Sequence, residues 1–374
     1  MSYFERVQLY GIGPSGTPVP VPVDGGGHLY TFPYEQSISE RMLSGYRILR
    51  KVGRCDSFAA AAANSFTDLW TGAGSANYVH PAYPGVSMTL TGASANDLGT
   101  IHPSHPSGTT TGGDATSLID AGGNFLGATA VAQGDLAIID AVPASNLGAA
   151  WGIITNVTAT TLTIGDGWVR GYVCATGRPY RIVKASSSGT GCWALIARYL
   201  DSAYKECEAV LLCPGAADSA TGITMFRVND LRAIKCGSND AVYGTLTLQN
   251  AGKTITYHLI SAGVSGSESA VWTVPVTKLD GTAVSALYVN EWSLSGGKGG
   301  GNPPYLYGRL IASSLDGYRH TAFNAQREIS VFNAAFTQVI NPPLRFDPKV
   351  DVRIRVKTDT AATQATGHFS GWYE

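Results

Sequence analysis

The sequence predicts an all-β protein: a jelly-roll-like β-sandwich that carries an inserted small β-barrel and an extended N-terminal arm. Polar and apolar residues alternate in short runs such as Thr161–Ile164, Gly244–Leu248 and Thr254–Tyr257, and a period of two is typical of strands with one buried face. Turn residues separate these runs, as antiparallel hairpins require. Two stretches rich in Gly, Ser and Thr, residues 101–114 and 185–191, bracket the predicted insertion.

The first 45 residues are predicted to form a docking arm with one short helix. Pro18, Pro20 and Pro22 alternate with valines, which excludes helix and favours an extended path. The helix is predicted over Tyr34–Leu43, because serines precede its apolar face and Gly45 follows as a natural stop.

The remaining residues divide into a sandwich and its insertion. Residues 46–110 and 190–374 are predicted to form the jelly roll, since short strand patterns continue from Trp193–Ala197 to His368–Tyr373. Residues 111–189 are predicted to form the small barrel, in which Gly152–Val157 and Thr160–Ile164 pair as a hairpin.

The content of charged residues and the net charge limit the classes of partner that we expect. Charged residues make up 14% of the 374 residues, against roughly 25% in an average soluble protein. The net charge of −1 lacks the basic footprint of a nucleic-acid binder, so no nucleic-acid partner is expected. Low charge is also typical of surfaces that partners cover.

No membrane partner is expected either, because no apolar run approaches the roughly 18–20 residues that span a bilayer. The start of the chain lacks the plan of a secretory signal, which favours synthesis in a reducing cytoplasm. The six cysteines are therefore predicted to be free and mostly buried thiols. They include no C-x-x-C pair, so a zinc site has little support.

Motifs for cofactors and metals are present only in part, and no cofactor or metal is predicted. The G-x-G-x-x-G run Gly11–Gly16 is followed by prolines where a dinucleotide site needs a helix. The glycine-rich run Gly296–Gly301 has no Ser or Thr after Lys298 to hold magnesium. His102 and His105 are predicted to be solvated loop residues, with a metal site shared between several chains on a symmetry axis as the alternative.

No catalytic residue is predicted, and the protein is not expected to be an enzyme. The G-x-S-x-G elbow of serine hydrolases is missing. A glycan hydrolase, the alternative, needs two acids that face a cleft. No pair stands out in the sequence among the acids considered, which are Asp201, Glu206, Glu208, Glu268 and Glu291.

Five aromatic residues near predicted loops are the candidate contact residues: Trp70, Tyr78, Tyr83, Tyr305 and Tyr307. Sandwich cores and subunit contacts both use such side chains, which is the first interpretation. Stacking on the sugar rings of a glycan is the alternative.

Eight short motifs follow one another within residues 30–100 and 191–374. They are Gly45–Arg54, Phe66–Gly74, Ser94–Asp97, Leu200–Tyr204, Phe226–Asn229, Trp272–Pro275, Pro343–Phe346 and Phe369–Trp372. Their order resembles that in virion structural proteins of tailed bacteriophages. Ala73 separates the two glycines of the run Phe66–Gly74, which is a departure from the family's pattern. Within the insertion, Ser117–Gly122, Gly134-Asp135 and Val157–Thr163 are similar to a small β-module that recurs in phage proteins.

The resemblance implies a virion component without known catalysis, made in the host cytoplasm and located in the virion. Its role would be capsid decoration, head fibre, collar or tail component. The implied partners are other copies of the chain, most simply a trimer, and the major capsid or portal and tail proteins. In this interpretation the arm docks on the capsid, on the portal–tail region or on a sister subunit, the sandwich forms the oligomer, and the barrel projects from it. The alternative is a receptor- or glycan-binding tail module.

Overall fold

The fold is almost entirely β. The computed structural model describes residues 10–12, 18–20, 48–55, 66–69, 85–105, 107–127, 129–139, 149–184, 190–268, 271–297, 305–313, 323–332, 334–359 and 363–374. Within these ranges every regular element is a strand, apart from a 3₁₀ turn at Val169–Gly171. The prediction of an all-β, sandwich-like fold is therefore confirmed, whereas the helix predicted over Tyr34–Leu43 lies outside the described residues.

The chain divides into two units, residues 1–48 and 49–374. In the first unit, strand β1 (Tyr10–Ile12) pairs antiparallel with strand β2 (Pro18–Pro20). The G-x-G-x-x-G run thus starts in one strand and leads to another strand, so the helix that would receive a pyrophosphate does not follow it.

The strands of the rest of the chain fall into four groups in sequence order. The first group is β3 (Ile48–Cys55), β4 (Thr67–Asp68) and β5 (Val86–Gly92). The second is β6 (Thr100–Ile101), β7 (Ser107–Thr109), β8 (Gly112–Gly113), β9 (Ser117–Ile119), β10 (Leu136–Ile139), β11 (Ala150–Val157), β12 (Thr161–Ile164) and β13 (Pro179–Lys184). The third is β14 (Cys192–Leu200), β15 (Glu206–Leu212), β16 (Asp218–Met225), β17 (Arg227–Cys236), β18 (Leu246–Asn250), β19 (Thr256–Ile260) and β20 (Gly266–Glu268). The fourth is β21 (Val271–Thr273), β22 (Leu287–Gly297), β23 (Tyr305–Ser313), β24 (Phe323–Phe332), β25 (Ala335–Phe346), β26 (Asp351–Thr358) and β27 (Gln364–Tyr373).

Strands β6 to β13 pair with one another and enclose their own core; we call residues 100–184 the small module. Their order is β6-β13-β10-β11-β12-β9-β8, with β7 also beside β13. Phe125, Ile154, Leu162 and Ile182 are fully buried in its core. The predicted hairpin is present, since Val157 of β11 is paired with Leu162 of β12. The domain boundaries drawn from the sequence stay a prediction.

The first sandwich consists of the sheets β15-β14-β17-β20 and β16-β5-β18-β19. Side chains from both sheets, among them Leu90, Leu195, Val228 and Leu248, share one core. Strand β5 comes before the small module in sequence and β14 after it, so the chain leaves the first sandwich and returns to it.

The second sandwich consists of the sheets β21-β26-β23-β24, with β4 beside β26, and β25-β22-β27-β3. Its core contains Trp272, Trp292 and Phe369. On β26 the apolar residues Val352, Ile354 and Val356 point into this core, while the basic residues that alternate with them face outward, as their spacing predicts.

The range predicted as one jelly roll thus holds two sandwiches with separate cores. Period-two alternation marks a buried strand face, but it does not tell which sheet that face meets. The division was therefore not visible in the pattern of strands.

The small module is packed against the first sandwich through β10. Ala137 and Ile139 point into the module's core, whereas Leu136 and Ile138 pack with residues of β14 such as Ile196. Burial on both faces explains why this strand is a continuous apolar run rather than an alternating one.

Candidate interaction surface

Two aromatic side chains form an exposed pair at one side of the second sandwich. Tyr305 of β23 and Phe332 of β24 are opposite each other in the ladder, and their ring centroids are 4.6 Å apart. They are 47% and 50% exposed, and Tyr307, two residues further along β23, is 37% exposed. Large apolar groups left in water at this level are candidates for a contact with a partner.

Strand β25, which follows β24 in the chain, adds one more residue to this surface. Phe336 is exposed there and faces the sheet that holds β24, because its ladder partner Leu294 is a core residue. We call Tyr305, Tyr307, Phe332 and Phe336 the aromatic edge. They are four of the nine large exposed apolar residues in the part of the chain that the structure describes. Val339, which is 72% exposed, is opposite Glu291 in the ladder and so lies on the other face of β25. Strands β24 and β25 also end their respective sheet orders, and end strands are ready sites for pairing or packing.

Two basic side chains border the aromatic edge on the side of Tyr307. The Nζ atom of Lys357 lies 4.9 Å from the ring centroid of Tyr307 and 5.2 Å from that of Phe66. Arg309 places its Cζ atom 4.2 Å from the centroid of Phe66, and its Nε atom is 2.6 Å from Oε1 of Glu328. Cations over aromatic faces are held by the ring quadrupole, so the apolar edge has a charged rim, as many protein interfaces do.

Asp68 anchors this basic face from beneath. It is buried on β4, forms an ion pair with Arg353, and has its Oδ1 atom 3.5 Å from Nε of Arg355. Burial lowers the pKa of Arg355, and the neighbouring Asp68 opposes that change. Arg355 also donates a hydrogen bond to the carbonyl oxygen of Phe66, so the same contacts hold Phe66 beneath the two cations.

The five predicted contact residues lie partly inside and partly outside the described residues. Tyr305 and Tyr307 lie on one strand face and are exposed, so neither is a core residue. Trp70, Tyr78 and Tyr83 lie outside the described residues. Sequence reasoning missed Phe332 and Phe336, because strand alternation does not reveal which apolar side chain lies at the open side of a sandwich.

The outer face of the other sheet carries a row of three side chains that the sequence did not reveal. Ser293 Oγ is 2.6 Å from His368 Nδ1, and His368 Nε2 is 3.0 Å from Glu291 Oε1. Glu291 and Ser293 share one face of β22, and the ladder places His368 of β27 opposite Ser293. These residues meet through sheet register alone, so no sequence spacing signals them.

This row has the residue types of a serine hydrolase triad but not its geometry. The Oγ atom is also 3.4 Å from His368 Nε2, whereas a hydroxyl in line with the Nδ1 lone pair would be about 4.7 Å from that nitrogen. Strand β22 is paired with β25 on one side and β27 on the other, so its N–H groups are used in the ladders. An oxyanion needs free, converging donors, and a flat sheet face does not supply them.

We expect Ser293 to be unreactive toward a fluorophosphonate probe, because the histidine is poorly aligned to accept the hydroxyl proton. Labelling of the wild-type chain and of Ser293→Ala, followed by mass spectrometry, would show the same background. Labelling of the wild-type chain that is lost in both Ser293→Ala and His368→Ala would contradict this and indicate a nucleophilic serine.

The acids considered in the sequence have structural partners where the structure describes them. Glu206 and Glu208 flank Arg198, whose Nη2 atom is 2.8 Å from Oε1 of Glu208. Burial alone would lower the pKa of Arg198, but the two carboxylates raise it. Asp201 accepts hydrogen bonds from the backbone N–H groups of Ala203 and Lys205 in a turn.

Of the two histidines, His102 differs from the expectation of a solvated loop residue, whereas His105 is of intermediate burial. His102 is fully buried, and its ring has partners there: its Nδ1 atom accepts the N–H of His105 at 3.1 Å, and its Nε2 atom is 3.2 Å from the carbonyl oxygen of Ala130. Both ring nitrogens of His102 are therefore occupied by the fold. In the described ranges no group of three or more His, Cys, Asp or Glu side chains is placed to hold a metal.

The cysteines agree with their prediction. Five lie among residues whose side chains are described; all five are free, and Cys174, Cys192 and Cys213 are buried. Burial raises the pKa of the Cys174 thiol to about 11 and that of the Cys207 thiol to about 11. Such thiols are protonated at neutral pH and unsuited to nucleophilic chemistry.

Comparison with protein-family models gives no match, and comparison with curated proteins gives no significant match. Among the described residues, no helix has the length and apolar character needed to cross a bilayer.

Proposed function

We propose that this protein is a structural component of a phage virion that assembles on the capsid or on the neck and tail through subunit contacts. A decoration, fibre or collar role fits this proposal. The observation that carries it is the aromatic edge, a cluster of exposed apolar side chains with a charged rim. The low content of charged residues and the motifs that resemble virion proteins support it.

The aromatic edge supplies enough energy to contribute to association, but not to drive it alone. Full burial of a large apolar side chain is worth about 1.5–3 kcal/mol. Since these four are already about half buried, a partner gains roughly 1 kcal/mol from each, or about 4 kcal/mol in all. Loss of translational and rotational freedom costs an estimated 4–15 kcal/mol, so further contacts must add to the edge.

The proposed first partner is another copy of the chain, with a trimer favoured. In a cyclic trimer the edge of one subunit packs on a different patch of the next, and the contact repeats until the ring closes. Each subunit then buries its edge once and covers its neighbour's once. The other proposed partners are the major capsid protein or portal and tail proteins.

We expect substitution of the aromatic edge to reduce the oligomer to monomers. The variant Tyr305→Ser, Phe332→Ser, Phe336→Ser removes the most exposed apolar groups of the edge without opening the core. Light scattering after size exclusion should give a multiple of 39.2 kDa for the wild-type chain and the monomer mass for the variant.

The matched control is Leu126→Ser with Ile255→Ser, two exposed apolar residues away from the edge; it should keep the wild-type mass. A wild-type chain that stays monomeric at high concentration, or a triple variant with unchanged mass, would refute the self-association proposal.

The alternative, a receptor- or glycan-binding tail module, draws on Tyr305 and Tyr307. Stacking on a sugar needs an open ring face, but the ring of Tyr305 lies against Phe332 and that of Tyr307 lies under Lys357. Both rings are thus partly engaged, which favours protein contact over sugar stacking at this surface.

A further inference from the structure

A cleft lies where the small module meets the first sandwich, far in sequence from the aromatic edge. Its volume is about 640 Å³, within the roughly 300–1,000 Å³ of small-ligand pockets. One wall is the hairpin of β11 and β12 with the 3₁₀ turn that follows, and Ile234 of β17 contributes the opposite side. The side chains that carry chemistry there are Trp151, Trp168, Thr155 and Asp166.

Glycines let the strands and the turn of this cleft pack closely. A Cβ atom on Gly152 would lie 2.2 Å from Cγ2 of Ile164, and one on Gly165 would lie 2.5 Å from Cγ2 of Thr155. Gly167 has a φ of +76°, which disfavours any other residue. Close packing at these three positions fixes the shape of the wall and leaves the neighbouring side chains to contact a ligand.

Part of the wall is held in place before any ligand arrives. Trp168 is buried, and its indole N–H donates to the carbonyl oxygen of Ser117 at 3.3 Å. Thr155 lies at a shift of register between Ile154 and Asn156, and such bulges re-aim side chains. A site arranged in this way loses little freedom on binding.

The chemistry of the lining selects the class of ligand. Among the residues of the lining whose side chains are described, Asp166 is the one that is ionisable, and it would repel a phosphate or carboxylate group placed beside it. A purely apolar ligand would strip water from Asp166 and Thr155 without replacing their hydrogen bonds. A ligand whose apolar C–H face packs on the indole of Trp151 and whose hydroxyls donate to the Asp166 carboxylate makes both apolar and polar contacts with the cleft.

We propose that this cleft binds a neutral saccharide, with Trp151 as the stacking surface and Asp166 and Thr155 as hydroxyl acceptors. This goes beyond the assembly role, and it does not depend on the aromatic edge. A virion protein with such a site would attach to a glycan while its second sandwich contacts other subunits.

The test is isothermal titration of the full-length chain with cellotriose, maltotriose, chitotriose and mannotriose, and with sialyllactose as an acidic comparison. At least one neutral trisaccharide should bind, and sialyllactose should bind more weakly. Asp166→Asn should weaken the binding about tenfold, since it removes a charge-assisted hydrogen bond. Trp151→Ala should weaken it roughly tenfold or more through loss of the aromatic surface.

Because Trp151 is partly buried, circular dichroism must show that the Trp151→Ala variant is folded. Asp166 and Thr155 are exposed, so the variants Asp166→Asn and Thr155→Val test the site without disturbing the core. Leu126→Ala, an exposed residue of the same module, is the control and should bind as the wild-type chain does. The proposal is overturned if no neutral trisaccharide binds, or if Asp166→Asn and Thr155→Val bind as tightly as the wild-type chain. The aromatic-edge variant should keep full saccharide binding, so failure of either proposal leaves the other measurable.

Discussion

Replacing Asp97 by alanine is expected to lower the free energy of unfolding by about 3–5 kcal/mol. Asp97 is fully buried, and its carboxylate accepts three backbone N–H groups. These are the N–H groups of Cys192 at 2.7 Å, Tyr243 at 2.9 Å and Gly244 at 2.7 Å. Each donor left unpaired costs about 1–3 kcal/mol, and whole domains have only about 5–15 kcal/mol to lose.

The position of Asp97 explains why the loss should be global. The residue lies where the chain leaves the first sandwich for the small module, and Cys192 opens the strand by which the chain returns. Tyr243 and Gly244 precede β18, so one carboxylate ties together three segments of the sandwich. A Cβ atom on Gly191 would be 2.2 Å from Oδ1 of Asp97, which shows how closely the backbone surrounds this group.

Urea unfolding measures the effect. Asp97→Asn should cost less than alanine, because an amide oxygen in place of Oδ1 still accepts two of the three N–H groups. Asp347→Ala, which removes an exposed acid paired with Arg345, should change the stability by no more than about 0.5 kcal/mol. An alanine variant of Asp97 as stable as this control would contradict the structural role.

Local patterns predicted the strands well, because the alternation of polar and apolar neighbours indicates which face of a strand is buried. The predicted hairpin of β11 and β12 is present, but its turn is at Ala159-Thr160, one residue later than predicted, because the N–H of Thr158 is bonded to the carbonyl oxygen of Thr161. The outward cations of β26 follow directly from alternation. The period of two thus identifies a strand and its faces, whereas the position of a turn depends on the pairing of the two strands.

Features that depend on register or on packing between distant segments were not predictable. Ser293 and His368 meet because β22 pairs with β27, and a shift of one residue would have placed them on opposite faces. The cleft depends on contacts such as that of Gly165 with Thr155, and a sequence does not state which glycine faces a neighbour. The burial of His102 likewise depends on Ala130, which is remote in the chain.

The motifs that resemble virion proteins acquire a physical explanation at Asp97 and Asp68. Asp97 ends the run Ser94–Asp97, and Asp68 is the acid of the run Phe66–Gly74. Both carboxylates are buried and each joins segments that are distant in the chain. The fold requires a carboxylate at each of these positions, so contacts within the fold explain both motifs without a reaction.

Replacing Asp68 by alanine is expected to cost about 3–5 kcal/mol, because it leaves the cations of β26 without their buried counter-charge. Arg353 and Arg355 both lie against Asp68, and Arg309 is close enough to lower the pKa of Arg355. Without the carboxylate these like charges repel one another on a face that is only partly open to water. Asp68→Asn should cost almost as much, since it keeps the shape and removes the charge.

Two measurements separate lost charge from lost packing. Raising the salt concentration to about 1 M should recover part of the stability of Asp68→Asn, because repulsion between partly exposed cations is screened. The double variant Asp68→Ala, Arg353→Met should be more stable than Asp68→Ala alone, since it removes one of the uncompensated cations and keeps an apolar stem. Strictly additive losses in this cycle would show that the carboxylate acts only by filling space. A favourable coupling would mean that one acid on β4 holds the basic rim of the aromatic edge together.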